Sequence, residues 1–343
     1  MRTIRAIFCG AALLFATAAS SQMMTPMSFE DLDGWADDDH AAAMVVFRRT
    51  CAQSATGDLV PDAIWQGLCR AAEFVPDARA FFETAFQPVM ITDGNDPLFT
   101  GYYEPELQAS RSHTDTFRYP LYRRPPEVAG TSAPWLSRAE IEAGALRGRG
   151  LELAWLADPV DAFFLHVQGS GRLRLTDGSV MRVGFGGRNN HTYRSVGRHM
   201  AETGLLPAHQ VSAGAIRNWV RENGDAGRRV LNHNPSYIFF VEVEGLRPED
   251  GPIGAMSAPV TAMRSVAVDR SFTPLGLPVW VETTTTDGPF ARLMIAQDVG
   301  AAINGAQRAD IFFGSGAEAY RQAAVQRYGG RLITFFPRSL LGE

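Results

Sequence analysis

The segment from Arg292 to Gly316 constrains the fold of this chain more than any other. Leu293 to Ala296 is a short apolar run of the kind that makes a buried strand, and Asp298 stands where it gives way to a loop carrying Gly300 and Gly305. Asp310 then opens a second run, Ile311-Phe312-Phe313, which ends on Gly314 and Gly316. A third aspartate, Asp269, follows the β-branched run ending at Val268 and precedes the turn residues Pro274 and Gly276. Runs this short bury their apolar faces only by pairing with one another, so the C-terminal third is expected to form a compact β-unit, a small barrel. A carboxylate beside aromatic strand residues loses solvation, which raises its pKa toward the range where it can act as an acid near neutrality. Each position taken alone also suits an N-cap or turn aspartate.

The 343 residues are 45% hydrophobic and 20% charged, enough for two domains or for one domain with an insertion. Residues 1–20 stand apart. Arg2 and Arg5 precede the apolar segment Ala6 to Phe15 and the small residues Ala16 to Ser20, the pattern of a secretory signal peptide cleaved near Ala18. That run is too short to span a bilayer and no later stretch is long and charge-free enough, so an exported protein of the periplasm or cell envelope with no integral membrane span is expected. Cys9 lies inside the apolar run, away from a processing site, so no lipid anchor is expected. Of the remaining cysteines, Cys51 and Cys69, an oxidising compartment makes a disulfide the expectation, with two separately buried thiols as the alternative.

All 32 basic residues are arginine, which excludes a lysine-dependent phosphate-binding loop and Schiff-base chemistry. Without Arg2 and Arg5, 30 arginines face 37 acidic residues, a net charge of −7 that argues against nonspecific nucleic-acid binding. The seven histidines form neither a His-Glu-x-x-His helix nor a Cys/His zinc pattern, so no metal and no cofactor are expected.

From Phe29 to Gln87 the periodicity predicts three helices, the first preceded by Asp37-Asp38-Asp39 and the third, with Phe81, Phe82, Ala85 and Phe86, stopped by Pro88. The texture changes near Glu104, the expected domain break. Tyr102 and Tyr103, flanked by Thr100 and Glu104, suit either a sugar-stacking platform or a strand with one tyrosine in the core. Phe163 to Gln168 is expected to be a strand leading through Gly169, Ser170 and Gly171 into a hairpin over Arg172–Leu175 and Val180–Val183. The glycines there either admit a ligand to the backbone or make bulges. Gly186 to Ser195, with Asn189, His191 and Tyr193, suits a polar ligand-binding loop or the cap of the helix that follows. A helical piece from Ala213 to Glu222 ends at Gly224, strands dominate thereafter, and a last helix is expected over Ala317 to Tyr328.

Five ordered segments carry a family resemblance: Phe99 to Pro105, Val167 to Gly171, His191 to Ser195, Asn234 to Phe240, and Asp298 to Gly305 with Asp310. Together the chain resembles the membrane-bound lytic murein transglycosylase A family, with a C-terminal three-aspartate domain. The resemblance implies a mainly β fold with peripheral helices. A double-psi β-barrel built from residues 23–105 and 241–343 would carry an inserted β-domain over residues 106–240, with a glycan groove between them. It implies nonhydrolytic cleavage of the β-1,4 bond between N-acetylmuramic acid and N-acetylglucosamine in peptidoglycan, giving 1,6-anhydro ends. Asp310 would be the single acid/base, Asp298 would raise or orient it, and Asp269 would shape the groove. Thr100, Tyr102, Tyr103, Glu104, Gln168, Gly169, Ser170, Asn189, His191 and Tyr193 would contact glycan strands, and the protein is expected to be a monomer whose protein partners the sequence leaves open. A hydrolytic muramidase and a noncatalytic wall-binding protein are the alternatives.

Overall fold

The computed structural model describes residues 22–53 and 60–342; the expected signal segment, residues 1–20, lies outside them. The fold is mixed α/β with two sheets. Strand β1 (Met23–Pro26) is followed by helices α1 (His40–Cys51), α2 (Asp62–Phe74) and α3 (Ala78–Ala85), then by strands β2 (Phe86–Thr92) and β3 (Leu98–Glu104). Asp39 caps α1 by accepting from the Ala42 N–H at 2.9 Å, and Asp77 caps α3 through Ala80 at 3.0 Å. The third helix stops one residue earlier than expected, and Phe86 begins β2. Cys51 and Cys69 form a disulfide with Cα atoms 5.4 Å apart and a sequence separation of 18. Closing a loop of that length stabilises the fold by about 3 kcal/mol on chain-entropy grounds.

The middle of the chain runs through β4 (Glu106–Ser110), β5 (Tyr119–Tyr122), the helical turn α4 (Arg138–Glu140), β6 (Glu152–Leu156), α5 (Pro159–Gln168), β7 (Gly171–Leu175), β8 (Val180–Arg188), α6 (Val196–Glu202), α7 (Ala213–Glu222), α8 (Gly224–Leu231) and β9 (Ile238–Glu242). Its strands form a six-stranded sheet ordered β5-β6-β4-β7-β8-β9. Three expectations are corrected here. Phe163 to Gln168 is helical, because Asp158 caps the Val160 N–H at 2.8 Å, Pro159 sits in the first turn, and Gly169 ends the helix at φ 77°. Gly186 and Gly187 belong to β8, so the polar loop begins only after Arg188. Gly224 opens α8 where the sequence suggests an end. Ser195 does cap α6, accepting from the Arg198 N–H.

The last third contains β10 (Ser265–Val268), β11 (Pro278–Thr285), β12 (Gly288–Asp298), β13 (Arg308–Ser315), α9 (Gly316–Ala323), β14 (Arg327–Tyr328) and β15 (Gly330–Pro337). The expected last helix is therefore shorter, and Tyr328 lies in a strand. With the three N-terminal strands these make a nine-stranded sheet ordered β1-β2-β15-β11-β12-β10-β13-β3-β14. The sheet curls into a nearly closed barrel, because β14 at its far edge continues through Gly329 directly into β15. Gly330 permits the closure, since a Cβ there would lie 2.1 Å from the Glu282 carbonyl oxygen. Alternate residues fill the barrel, including Val266 and Val268, Val279 and Val281, Met294 and Ala296, Ala309 and Ile311. The opposite parity, Trp280, Leu293 and Ile295, packs on the N-terminal helices with Phe47, Trp65 and Phe82. Both faces are thus buried, which is why these strands are continuous apolar runs. Among the described residues no helix is long and apolar enough to cross a membrane.

Candidate active site

Strand pairing decides which carboxylates meet. β13 runs parallel to β3, with Asp310 opposite Thr100 and Phe312 opposite Tyr102. β10 lies between β12 and β13, and Ala267 is the register partner of both Asp298 and Asp310. The two aspartates therefore occupy one level of the barrel on either side of a small residue, their Cα atoms roughly 10 Å apart at the usual inter-strand spacing.

β3 serves both of them. Thr100 Oγ1 donates to Asp310 Oδ1 at 2.5 Å, and Arg308 Nη2 donates to Thr100 Oγ1 at 2.9 Å. Two residues along, Tyr102 OH donates to Asp298 Oδ2 at 3.1 Å, and its ring lies 5.1 Å from that of Phe312. Asp298 Oδ1 also accepts from the N–H groups of Ala255 and Val299 at 3.1 and 2.9 Å. Burial pushes both carboxyls up from an ordinary 3.8 to about 6. The hydrogen bonds to Asp298 oppose that rise, as do Thr100 and Arg308 at Asp310, whereas the charge of Asp298 adds to it at Asp310. Burial and the two aspartates hold the Tyr102 hydroxyl well above its ordinary value, so it stays a donor. Three donors favour ionised Asp298, and Asp310 has one, so the arrangement suits a carboxylate beside a carboxyl that can carry and return a proton near neutrality.

The other expected residues separate into distinct places. Asp269 does not join the pair. It accepts from the Ser271 N–H and hydroxyl and, at 2.8 Å, from the Gly305 N–H, pinning the loop that leads into β13. Glu104 is 1% exposed, and its oxygens take Arg172 Nε at 2.7 Å, Arg182 Nη2 at 2.8 Å and Ser315 Oγ at 2.7 Å. That carboxylate has no face left for a glycan; it clamps the second sheet to the barrel where β3 passes into β4. Tyr103 is buried, accepting from Arg217 Nη2 at 3.3 Å, while its N–H donates to Gln168 Oε1 at 3.1 Å. Gln168 thus joins the end of α5 to β3, and the left-handed Gly169 and buried Ser170 follow it. Asn189 is fully buried and holds the carbonyls of Leu136 and Pro235 and the Tyr237 N–H. His191 Nε2 contacts the Trp135 carbonyl at 2.6 Å, and half-buried Tyr193 has its hydroxyl pKa raised by burial. Asn189 and His191 organise the 131–137 loop and do not reach the aspartates through any of these bonds.

Arg308 was missed by sequence reasoning, although its two-residue offset from Asp310 is the strand period and was the available signal. No local pattern marks the Ala255 N–H. Among the described residues no group of three or more His, Cys, Asp or Glu side chains is arranged to hold a metal ion.

Residues 98–241 match the MltA specific insert domain, and residues 264–335 match the 3D domain. The chain is 36% identical over 274 residues to membrane-bound lytic murein transglycosylase A of Escherichia coli (strain K12), covering 77% of this chain and 72% of that protein. Its fold is similar to the crystal structure of a membrane-bound lytic murein transglycosylase from Agrobacterium tumefaciens, with TM-score 0.86, 36% identity and coverage of 93% and 99%. It is also similar to E. coli MltA with bound chitohexaose, with TM-score 0.70, 29% identity and coverage of 88% and 90%.

Proposed function

Since the chain belongs to the membrane-bound lytic murein transglycosylase A family and is a peptidoglycan-degrading lyase, we propose that Asp310 is its single acid/base, acting on glycan strands laid between the barrel and the second sheet. The barrel, residues 23–105 with 241–343, is in this reading a double-psi barrel, and residues 106–240 are the insertion that forms the other wall. The observation that carries the assignment is the Asp310 carboxyl, raised to about 6 and held by the Thr100 hydroxyl, its one donor among the described residues. Protonated, Asp310 donates to the glycosidic oxygen as the C1–O bond breaks; ionised, it accepts the proton of the C6 hydroxyl as the C6–O–C1 bond closes. The nucleophile belongs to the sugar, so proximity within one ring replaces the second carboxylate and the water of ordinary glycosidases. Asp298 stays ionised and raises Asp310, and Asp269 acts indirectly by holding the Gly305 loop. Thr100 and Tyr102 line the cleavage point. The relative with bound chitohexaose supports a glycan ligand. The membrane-bound naming of the relatives supports action in the cell envelope, where we place the exported chain in the periplasm.

The test is mass spectrometry of muropeptides released from purified peptidoglycan by the mature protein and by Asp310→Asn. Anhydro ends from the parent and none from the variant are expected. Reducing ends would mean hydrolysis, and an active variant would remove Asp310 from the mechanism.

A further inference from the structure

A cleft of about 700 Å³ opens on the second sheet, between β5, β6, α5, α8 and the segment around α4. That volume falls within the range of small-ligand sites. None of its walls comes from the strands that carry Asp298 and Asp310.

The walls are basic in a chain whose overall balance is acidic, 32 arginines against 37 carboxylates. Arg118, Arg147, Arg228 and Arg229 line the cleft. Arg228 pairs with Asp225, and the carboxylate of Glu142 is taken by buried Arg138 at 3.2 Å. Arg118, Arg147 and Arg229 make no ion pair among the described residues, so three cations face the cleft uncompensated. Trp155 and Tyr119 supply flat apolar walls.

The buried lining adds two directed polar atoms. His166 is 6% exposed, and its Nδ1 lies 2.9 Å from Arg138 Nη1. A guanidinium only donates, so Nδ1 accepts and the ring proton sits on Nε2. Burial and Arg138 hold the ring well below its ordinary pKa, keeping it a neutral donor. His166 Nε2 and the Asn232 Oδ1 atom are both buried without a hydrogen-bond partner, and both residues line the cleft. Leaving such atoms unpaired is costly, and here one donor and one acceptor belong to residues of the same lining as three cations. A fully ionised anion such as sulfate has no donor for the acceptor, and a neutral glycan, although its oxygens can accept from arginine, leaves the three positive charges uncompensated. A peptide carrying carboxylates satisfies all of them, its carbonyl on His166, its amide N–H on Asn232 and its acids on the arginines.

We propose that this cleft binds a short carboxylate-bearing peptide, the stem peptide of the peptidoglycan strand. The source of that peptide rests on the peptidoglycan reading above; the chemistry of the cleft does not.

The experiment is calorimetric titration of the full mature protein with the dipeptide Ala-γ-Glu, its carboxyl-amidated form, free glutamate and chitohexaose, backed by Trp155 fluorescence. The acidic dipeptide is expected to bind, and the amidated form and free glutamate much more weakly. Arg147→Ala with Arg229→Ala, both exposed, should weaken the dipeptide by about tenfold or more through loss of charge-assisted bonds, leaving chitohexaose binding and cleavage of peptide-free glycan unchanged. Equal binding of the acidic and amidated forms, glutamate binding as tightly as the dipeptide, or an unaffected double variant would each overturn the inference. Dipeptide binding without any anhydro product would leave the cleft standing and sink the lytic reading; anhydro product without dipeptide binding would do the reverse.

Discussion

Replacing Thr100 by Val changes the shape beside Asp310 very little and removes the hydroxyl that donates to it. A hydrogen bond to a charged group is worth about 1.5–3 kcal/mol, and each pKa unit corresponds to about 1.36 kcal/mol, so ionised Asp310 becomes harder to form by about one to two units. Arg308 still favours the carboxylate from beside it, which places the expected rise at the lower end of that range, above the starting value of about 6. Asp310 donates its proton in the first step, so activity falls as pH rises through its pKa, and the alkaline limb of kcat/KM should move to higher pH by about one unit. The variant loses rate at its optimum because the donor that orients the carboxyl is gone. Its rate in mildly alkaline buffer relative to its own optimum nevertheless increases. Initial rates of anhydro-product formation across the pH range read this directly, and carbon NMR of labelled aspartate reads the pKa itself. An unmoved limb, or one displaced to lower pH, would refute both the hydrogen bond's electrostatic role and the donor assignment.

Asp298 supplies a second test through stability. Its folded pKa of about 6 lies above the ordinary 3.8, so the proton it holds favours the fold fully below the unfolded value, and that contribution is lost as pH rises through about 6. Asp298→Asn, which cannot ionise, should gain more stability in neutral than in acid buffer, by at most roughly 3 kcal/mol; thermal melts in both buffers check it, and an equal or reversed difference refutes it. Glu104→Gln should cost about 3–5 kcal/mol, because two nearly buried arginines lose their shared carboxylate. Chemical denaturation measures this, and a loss near zero would mean the clamp between barrel and second sheet is not held by charge.

Much of the catalytic half is visible in the sequence. Strands form at Ser265–Val268, around Leu293–Ala296 and around Ile311–Phe313, where the apolar runs lie; Asp298 ends its strand as expected, whereas β13 begins at Arg308, so Asp310 lies inside its strand and does not open it. The oxidising compartment implied by the leader pattern was likewise enough to make a bond between Cys51 and Cys69 the expectation over two separate thiols, and the structure forms it. The second sheet was harder. Phe163 to Gln168 carries β-favouring aromatics, yet the cap at Asp158 and the stop at Gly169 lie outside the apolar run and decide for helix. Glu104 looked like a glycan contact because its neighbours do; its partners Arg172, Arg182 and Ser315 are 68, 78 and 211 residues away.

The sequence by itself determined where the apolar runs lie, which carboxylates stand beside aromatic residues and to which family the chain belongs, since all of these follow from patterns within a few residues or from ordered motifs. Only the tertiary structure decided that Asp298 and Asp310 meet across Ala267 while Asp269 binds the Gly305 loop, that Glu104 is sealed, and that His166 and Asn232, each with a buried unpaired atom, line an arginine-rich cleft. The physical reason is that desolvation and hydrogen-bond partnership are set by groups distant in the chain, and those two quantities fix what a polar side chain can do.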